Sequence, residues 1–243
     1  MDFPFLLDTT RQLLAAVPTT LLLFIESIAI GGVIALFVTW MRVSGIFVLD
    51  RIARAYILVF RGSPLLIQMF MIYYGLGQFQ AIRSSIFWIA LKHPFECAVL
   101  SLALCTGGYT AEIFRSGLIA VPEREVEAAR SIGMSGFLLF RRIIAPVALR
   151  YALPAYSTEL VLMVKSTSLA SLVTVWEITG VAQRIMTQTY RTTEVFLCAA
   201  AIYLVINFVL VRLLGLLEWR LSGHQRRRPD SLPTAAALEG TPT

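Results

Sequence analysis

The stretch from Val121 to Arg150 reads VPEREVEAARSIGMSGFLLFRRIIAPVALR, and it is a polar segment between two apolar ones. Proline is favoured in the first turn of a helix, and the glutamates that follow Pro122 suit the positive end of the helix dipole. Gly133 is of the residue type that most often ends a helix, and Ser135 can cap the next one. The stretch therefore predicts two short helices joined by a turn at Gly133, the second of which is disturbed by Pro146.

The composition of the whole chain indicates an integral membrane protein. Of the 243 residues, 57% are hydrophobic and 15% are charged, and the mean hydropathy is +0.74. These values are far from those of soluble proteins. Five apolar segments are each long enough to cross a hydrocarbon core of about 30 Å. We expect an all-α protein with five transmembrane helices, at about residues 18–41, 54–79, 94–114, 152–175 and 195–217.

The five segments define one transmembrane domain, residues 18–217, which contains the 121–150 loop. Residues 1–17 have no basic cluster of the kind that begins a signal peptide, so the first segment is expected to remain as a membrane helix. Residues 218–243 contain three consecutive arginines followed by proline, serine, threonine and alanine. This composition predicts a disordered tail.

Basic residues are distributed unevenly between the two sides of these segments. Basic residues in excess mark the cytoplasmic side of a membrane protein. The side that includes the 121–150 loop has fourteen lysines and arginines, the other side has five, and two lie inside helices. The loop and the C-terminus are therefore predicted to be cytoplasmic and the N-terminus periplasmic, which explains the net charge of +6 without nucleic-acid binding. The larger group comprises Arg42, Arg51, Arg54, Arg115, Arg124, Arg130, Arg141, Arg142, Arg150, Arg212, Arg220 and Arg226 to Arg228, and the smaller one Arg11, Arg83, Lys92, Arg184 and Arg191.

The sequence lacks the phosphate-binding loop that many ATPases use. That loop needs the pattern G-x-x-x-x-G-K-[ST], whereas Lys165-Ser166 is preceded by Val164 where glycine is required. If transport is driven by ATP, the ATPase is therefore a separate chain. The three cysteines lie in apolar runs without metal-ligand spacing, and no nucleophile–base set stands out, so neither a metal site nor an enzyme activity is predicted.

Several residues of the 121–150 loop stand at a distinctive spacing. Glu127-Ala128-Ala129 is followed after three residues by Gly133, and nine residues later by Ile143-x-Ala145-Pro146. This spacing resembles the EAA loop of the permeases of ATP-binding-cassette (ABC) importers. The family pattern usually has leucine where Ala145 stands, which we take as a minor difference. Four further motifs occur in the order found in the polar amino-acid branch of that family, and most closely resemble histidine/arginine and opine permease subunits: Arg61-Gly62-Ser63-Pro64, Gly107–Arg115, Leu153–Tyr156 and Lys165–Leu169.

The resemblance covers about residues 15–218 and implies a function. It implies a type I permease subunit of a bacterial inner membrane, which works as a dimer by alternating access. Two cytoplasmic ATPase subunits would bind ATP and Mg²⁺, and a periplasmic binding protein would deliver a polar, basic amino acid or an opine. The loop would dock into the ATPase through Glu127, Ala128, Ala129 and Gly133. A heterodimer with a second permease is favoured, and a homodimer is left open.

Ionisable side chains inside a membrane are costly, so each is a candidate for function. We propose that Glu159 lines the substrate path with the hydroxyls of Ser166, Thr167 and Ser168, because a carboxylate attracts a cationic group. The alternative is hydrogen bonding between helices, for which serine and threonine are common.

Two other intramembrane features have structural interpretations. Glu112 and Arg115 are three residues apart and are expected to form a pair. Arg61 is expected either to reach the membrane interface or to hydrogen-bond to carbonyls that Pro64 leaves free.

Two other classes of function remain open at this point. One is a secondary transporter or channel that works without ATP, which intramembrane charges alone would allow. The other is a membrane scaffold or sensor without a transport path. The spacing of the loop favours the importer permease over both.

Overall fold

The computed structural model describes residues 2–86 and 88–221, and all regular structure within them is helical. Residues 222–243, which form most of the predicted tail, lie outside the described residues. Two π-helical turns, Met71–Gly75 and Phe140–Ile144, and two 3-10 segments, Leu76–Gln78 and Thr167–Val173, interrupt or extend the α-helices. The α-helices are α1 (Phe3–Val43), α2 (Phe47–Gly62), α3 (Leu65–Phe70), α4 (Gln80–Arg83), α5 (Trp88–Leu91), α6 (Pro94–Ile119), α7 (Glu123–Ser131), α8 (Gly136–Leu139), α9 (Ala145–Ser166), α10 (Ile178–Thr189) and α11 (Thr192–Leu221).

Within the described residues, three helices are long and apolar enough to cross a membrane, namely α1, α6 and α11. Two bent pairs also qualify when each is counted as one span. The first joins Phe47–Gly62 to Leu65–Gln78 with a bend of 103°, and the second joins Gly136–Val173 to Ile178–Thr189 with a bend of 48°. The five spans agree with the five predicted segments. The break in the first pair is expected from Arg61-Gly62-Ser63-Pro64, since proline breaks a helix, whereas the bend in the second pair was not predicted.

The first helix begins much earlier than predicted. Helix α1 starts at Phe3 rather than near residue 18, and Pro18 lies inside it. Residues before Pro18 are held in the helix by tertiary packing, because Leu13 and Ala16 are buried in a cluster with residues of α10 and α11. Burial of this kind offsets the cost of an interior proline.

The core consists of two main hydrophobic clusters that share α1. The first cluster contains Leu23, Met69, Leu102, Met163 and Val173, and therefore joins α1, α3, α6, α9 and the 167–173 segment. The second cluster joins the beginning of α1 to α10 and α11, and contains Leu13, Ala16, Ile178, Ala182, Ile185, Val195, Ala199 and Ile202. Helix α1 is therefore the scaffold against which both groups of helices pack.

Small residues allow α1, α2 and α6 to approach closely. A Cβ atom on Gly31 would lie 2.3 Å from Thr106 Cγ2, and one on Gly107 would lie 2.9 Å from the Tyr56 hydroxyl. The Tyr56 hydroxyl donates a 2.6 Å hydrogen bond to the Leu104 carbonyl in α6. Close packing of small residues and interhelical hydrogen bonds are typical of membrane helices, where lipid offers no hydrophobic driving force.

Ion pairs mark the two ends of the bundle. At the end that carries the 121–150 loop, Arg42 contacts both Asp50 and Glu112, the latter at 3.4 Å from Nε to Oε1. The predicted pair of Glu112 with Arg115 is confirmed at 2.7 Å. At the opposite end, Arg191 Nη2 lies 2.9 Å from Asp2 Oδ2. The ends of α1 and α6 therefore lie together near the loop, and the starts of α1 and α11 lie together at the other end.

Candidate functional site

The loop between α6 and α9 begins with a short helix that ends as predicted. Helix α7 follows Pro122, and Gly133 adopts a φ of +86°, a conformation that side chains disfavour. The Gly133 amide donates to the Arg130 carbonyl at 2.9 Å and the Met134 amide to the Ala129 carbonyl at 3.0 Å. These two bonds form a Schellman motif, so the glycine turn is a true helix stop.

The second half of the loop differs from the prediction. Ser135 precedes α8, but its side chain makes no capping hydrogen bond. Pro146 does not end this helical segment, because α8 runs through the π-helical turn Phe140–Ile144 into α9, where Pro146 occupies the first turn. Proline is tolerated in a first turn, since its missing N–H needs no partner there. The loop is therefore continuous with the membrane helix α9.

The loop exposes apolar side chains at the end of the bundle. Ile132 and Phe137 are 74% and 75% exposed, respectively. Glu127 and Ala128 are also exposed, whereas Ala129 is buried against the subunit itself. These exposed apolar groups at the end of the bundle make the loop a candidate surface for contact with another protein.

Glu159 lies on α9 where that helix packs against α6. Its carboxyl is 8% exposed and accepts a 2.9 Å hydrogen bond from Thr106 Oγ1. Farther along the same contact, a Cβ atom on Gly117 would lie 2.6 Å from the Ala148 carbonyl, so α6 and α9 touch through backbone. The structure therefore holds Glu159 at a close helix–helix contact with one neutral partner.

The three hydroxyl residues predicted to accompany Glu159 lie about two helical turns farther along. Each hydroxyl donates to a backbone carbonyl three or four residues earlier: Ser166 to Leu162 at 3.0 Å, Thr167 to Val164 at 2.7 Å and Ser168 to Lys165 at 2.7 Å. Thr167 is fully buried, whereas Ser166 and Ser168 are partly exposed. Only the two serines therefore combine a position near the surface with a free acceptor oxygen.

Arg61 does not bond the carbonyls near Pro64, which was one of its two expected roles. Its guanidinium carbon lies 4.8 Å from the centre of the Tyr109 ring in α6, and its charge interacts with the Glu159 carboxyl without an ion pair. The carbonyls of Phe60 and Ser63 near the Pro64 break are instead bonded by Gln68 Nε2, each at 3.0 Å. The Gln68 side-chain amide on the following helix thus bonds carbonyls that have no backbone partner at the Pro64 break. Arg61 is therefore not needed for this purpose.

A second buried carboxylate was missed by the sequence analysis. Glu177 is fully buried and accepts hydrogen bonds from the amides of Thr179 and Gly180, both at 2.8 Å, and from the Tyr203 hydroxyl at 2.7 Å. A carboxylate two and three residues before backbone amides is a helix-capping arrangement, but glutamate is not among the preferred capping residues. Only the Thr-Gly pair after it hinted at a helix start.

Within the described part of the chain, no group of three or more His, Cys, Asp or Glu side chains could hold a metal ion. What the geometry provides is a bundle of apolar spans with a buried carboxylate between two of them and, at one end, a loop with an exposed apolar surface. These features are those of a multispan membrane protein with a candidate contact surface for another protein at one end.

Comparison with known proteins agrees with this class. The family of binding-protein-dependent transport system inner membrane components matches residues 27–223, and the chain belongs to it. It is 53% identical over 230 residues to the octopine transport system permease protein of Rhizobium meliloti, with 94% of each chain covered. It is 40% identical to the histidine/lysine/arginine/ornithine transport system permease protein of Escherichia coli K12, with 90% of this chain and 92% of the relative covered.

A solved structure shows the same fold. The chain superposes on a subunit of an amino-acid ABC transporter with histidines at a TM-score of 0.80 and 34% identity, covering 90% of this chain and 99% of the other. The protein is therefore an all-helical type I permease subunit of an ABC importer in the inner membrane. It is a transport subunit rather than an enzyme, since the ATPase of such a system is a separate subunit. The interpretations as an ATP-independent transporter or as a scaffold are not supported.

Proposed function

We propose that this subunit carries a basic amino acid or an opine into the cytoplasm. The observation that carries this proposal is the buried Glu159 carboxylate with a single neutral partner, Thr106. Glu159 forms no ion pair among the described residues, and Arg61 acts on it only at longer range, so its burial is costly and a cationic substrate group would offset that cost. The relatives named for octopine and for histidine, lysine, arginine and ornithine support the same substrate class.

The substrate path includes the two serines that follow Glu159 on α9. Ser166 and Ser168 each keep an acceptor oxygen that can bind an ammonium or guanidinium N–H group. Thr167 belongs to the same segment but contributes through packing, because it is fully buried. The path would accordingly offer a charged site at Glu159 and neutral acceptors nearer the end of α9.

The substrate class is tested by uptake into vesicles that contain the complete complex, with its binding protein and ATP. Labelled arginine, histidine and octopine are compared with leucine and glutamate as neutral and acidic controls. We expect uptake of at least one of the first three and of neither control. Uptake of leucine or glutamate at a rate equal to that of the basic substrates would contradict the proposal.

The surface formed by Glu127, Ala128, Ala129 and Gly133 is the contact for the ATPase. Glu127 and Ala128 are exposed, Ala129 fixes the helix to the subunit, and Gly133 turns the chain so that Ile132 and Phe137 face outward. Two ATPase subunits would bind ATP and Mg²⁺, and their closure would move this loop. Because the loop continues into α9, the movement would reach Glu159 and switch access between the two sides.

The assembly contains a second permease subunit and a periplasmic binding protein. The close similarity to permeases of histidine and opine systems favours a different second permease over another copy of this chain. Affinity purification in mild detergent tests this composition. An ATPase and a second permease in the eluate would support the heterodimer, an ATPase alone would indicate a homodimer, and the absence of any ATPase would contradict the coupling role of the loop.

The N-terminus is periplasmic and the C-terminus cytoplasmic in this proposal. The uneven distribution of arginine supports it, and so does the Arg191–Asp2 pair, which lies at the end of the bundle opposite the 121–150 loop. Single-cysteine variants in a cysteine-free background would be labelled in whole cells with an impermeant reagent. Labelling at residue 2 and protection at residue 133 are expected, and the reverse pattern would overturn the orientation.

A further inference from the structure

The break between the 167–173 segment and α10 lies where the two main hydrophobic clusters meet. Val175 belongs to the first cluster and Ile178, three residues later, belongs to the second. Glu177 stands between them and is fully buried, while its neighbour Trp176 is 58% exposed. The chain therefore passes from one cluster to the other at a buried carboxylate.

The carboxylate of Glu177 ties together the elements on both sides of this break. It caps α10 through the amides of Thr179 and Gly180, and it accepts a 2.7 Å hydrogen bond from Tyr203 in α11. The Tyr203 hydroxyl also lies 3.3 Å from the Thr179 hydroxyl and interacts with the side chain of Thr167, the first residue of the 167–173 segment. One side-chain network thus spans the 167–173 segment, α10 and α11.

The backbone at the break has little room for independent movement. A Cβ atom on Gly180 would lie 2.4 Å from the Val175 carbonyl, so the first turn of α10 is pressed against the preceding chain. The Ile178 amide donates a 3.2 Å hydrogen bond to Thr20 Oγ1 in α1. Thr174 adopts a φ of +65°, so the connection itself is a turn and the contacts around Glu177 supply its rigidity.

A neutral cap would serve α10 at a lower desolvation cost than a buried carboxylate. The hydrogen bond from Tyr203 is what the carboxylate adds beyond the cap, because the capping amides lie in α10 itself. A hydrogen bond to a charged acceptor is about twice as strong as a neutral one. The hydrogen bond between Tyr203 and Glu177 therefore holds α11 against the chain at the start of α10.

We propose that Glu177 and Tyr203 form a joint that transmits movement from α9 to α10 and α11 during transport. Helix α9 begins at the loop expected to contact the ATPase and continues into the 167–173 segment, so movement of the loop reaches the break. With the joint intact, α10 and α11 follow α9. Without it, the break absorbs part of the movement, and ATP is hydrolysed without full opening of the path.

The test is Tyr203→Phe in the complete complex with its binding protein. This change removes one hydroxyl and keeps both capping hydrogen bonds of Glu177. Its matched control is Tyr190→Phe, because the Tyr190 side chain is 89% exposed and the same hydroxyl is removed. Uptake and ATP hydrolysis are both expressed per assembled complex, so that a loss of protein does not affect their ratio.

We expect Tyr203→Phe to lower uptake per ATP by about fivefold or more, the range that loss of one hydrogen bond to a charged group allows. Binding of labelled substrate to the purified complex should remain unchanged, and so should all properties of Tyr190→Phe. A purely structural role would reduce the amount of complex without changing uptake per ATP. An uptake per ATP equal to that of the wild type, whether or not the amount of complex falls, would contradict the proposed joint.

This inference rests on the import function, but the two can fail separately. The proposed substrate class fails if the wild type takes up none of arginine, histidine and octopine. The joint is also tested by the stimulation of ATP hydrolysis by the binding protein purified with the ligand it retains. A Tyr203→Phe complex stimulated as strongly as the wild type, with equal uptake of that ligand, contradicts the joint.

Discussion

Glu159 and Glu177 are both buried carboxylates on the bent segment that follows the 121–150 loop, but their surroundings differ. Within the described residues, Glu159 accepts one side-chain hydrogen bond, from Thr106, whereas Glu177 accepts three, from Thr179, Gly180 and Tyr203. An ionised carboxylate has about four acceptor sites. Glu159 therefore retains capacity for a ligand, and Glu177 is nearly saturated by its own protein. Burial alone does not separate a binding group from a structural one, and we propose that the remaining acceptor capacity does.

The largest effect is expected from Glu177→Ala. This change leaves the amides of Thr179 and Gly180 without an acceptor, at about 1–3 kcal/mol for each, and removes the hydrogen bond of Tyr203 to the carboxylate, at about 1.5–3 kcal/mol. We expect a loss of at least about 3 kcal/mol in stability, seen as a lower melting temperature of the purified complex. Glu96→Ala is the control, because Glu96 is exposed. A melting temperature equal to that of the control would show that the three bonds contribute little.

Gly133→Arg changes the exposed 121–150 loop and leaves Glu159 and Glu177 unchanged. It therefore tests the role of the loop by itself. A Cβ atom at Gly133 meets no atom within 4 Å, so the subunit should still insert, at a backbone cost of about 1–2 kcal/mol. The arginine would project into the surface proposed to contact the ATPase, and ATP-driven uptake should be lost. Gly45→Arg is a matched control, since Gly45 also has a positive φ and open space. Normal uptake by Gly133→Arg, or equal loss in both variants, would contradict the coupling role.

Glu159→Gln removes the charge but keeps the shape and an acceptor for Thr106. We expect substrate binding to the purified complex to weaken by about tenfold or more, as for loss of a charged hydrogen bond. The melting temperature should change little, in contrast to Glu177→Ala. Glu26→Gln, which changes another carboxylate of the membrane segments, should leave binding intact. Unchanged binding and uptake by Glu159→Gln would remove Glu159 from the substrate path.

The smallest effect is expected from Thr106→Val, which keeps the volume of the side chain. It removes the one hydrogen bond that orients the Glu159 carboxyl, while the charge remains. We expect binding of labelled arginine to weaken by about twofold to fivefold, since a hydrogen bond contributes about 1 kcal/mol net. A loss as large as that of Glu159→Gln would mean that Thr106 itself contacts the substrate.

The features that could be predicted from the sequence are those with local causes. The positive φ at Gly133 follows from the residue type, and the Glu112–Arg115 pair follows from helical spacing. The five spans follow from apolar length. The early start of α1 at Phe3 could not be read locally, because burial of Leu13 against α10 and α11 maintains the helix before Pro18.

Three features of the structure could not be predicted from the sequence. The role of Glu177 requires Tyr203, which lies 26 residues later on another helix. The carbonyls near Pro64 accept hydrogen bonds from Gln68 rather than from Arg61, because the bend of 103° brings the Gln68 side chain to them. Pro146 looked like a helix end, but the π-helical turn before it carries the helix onward into α9. The first of these outcomes depends on a contact between distant helices, and the other two depend on local backbone geometry that residue types alone do not reveal.

The most direct test of the contrast between the two carboxylates is equilibrium binding of labelled arginine, histidine and octopine to the purified complex, without nucleotide or binding protein. The wild type, Glu159→Gln and Tyr203→Phe would be compared in the same detergent. We predict that Glu159→Gln weakens binding by about tenfold or more, whereas Tyr203→Phe binds like the wild type. Equal binding by Glu159→Gln and the wild type, or equal loss in both variants, would contradict the account.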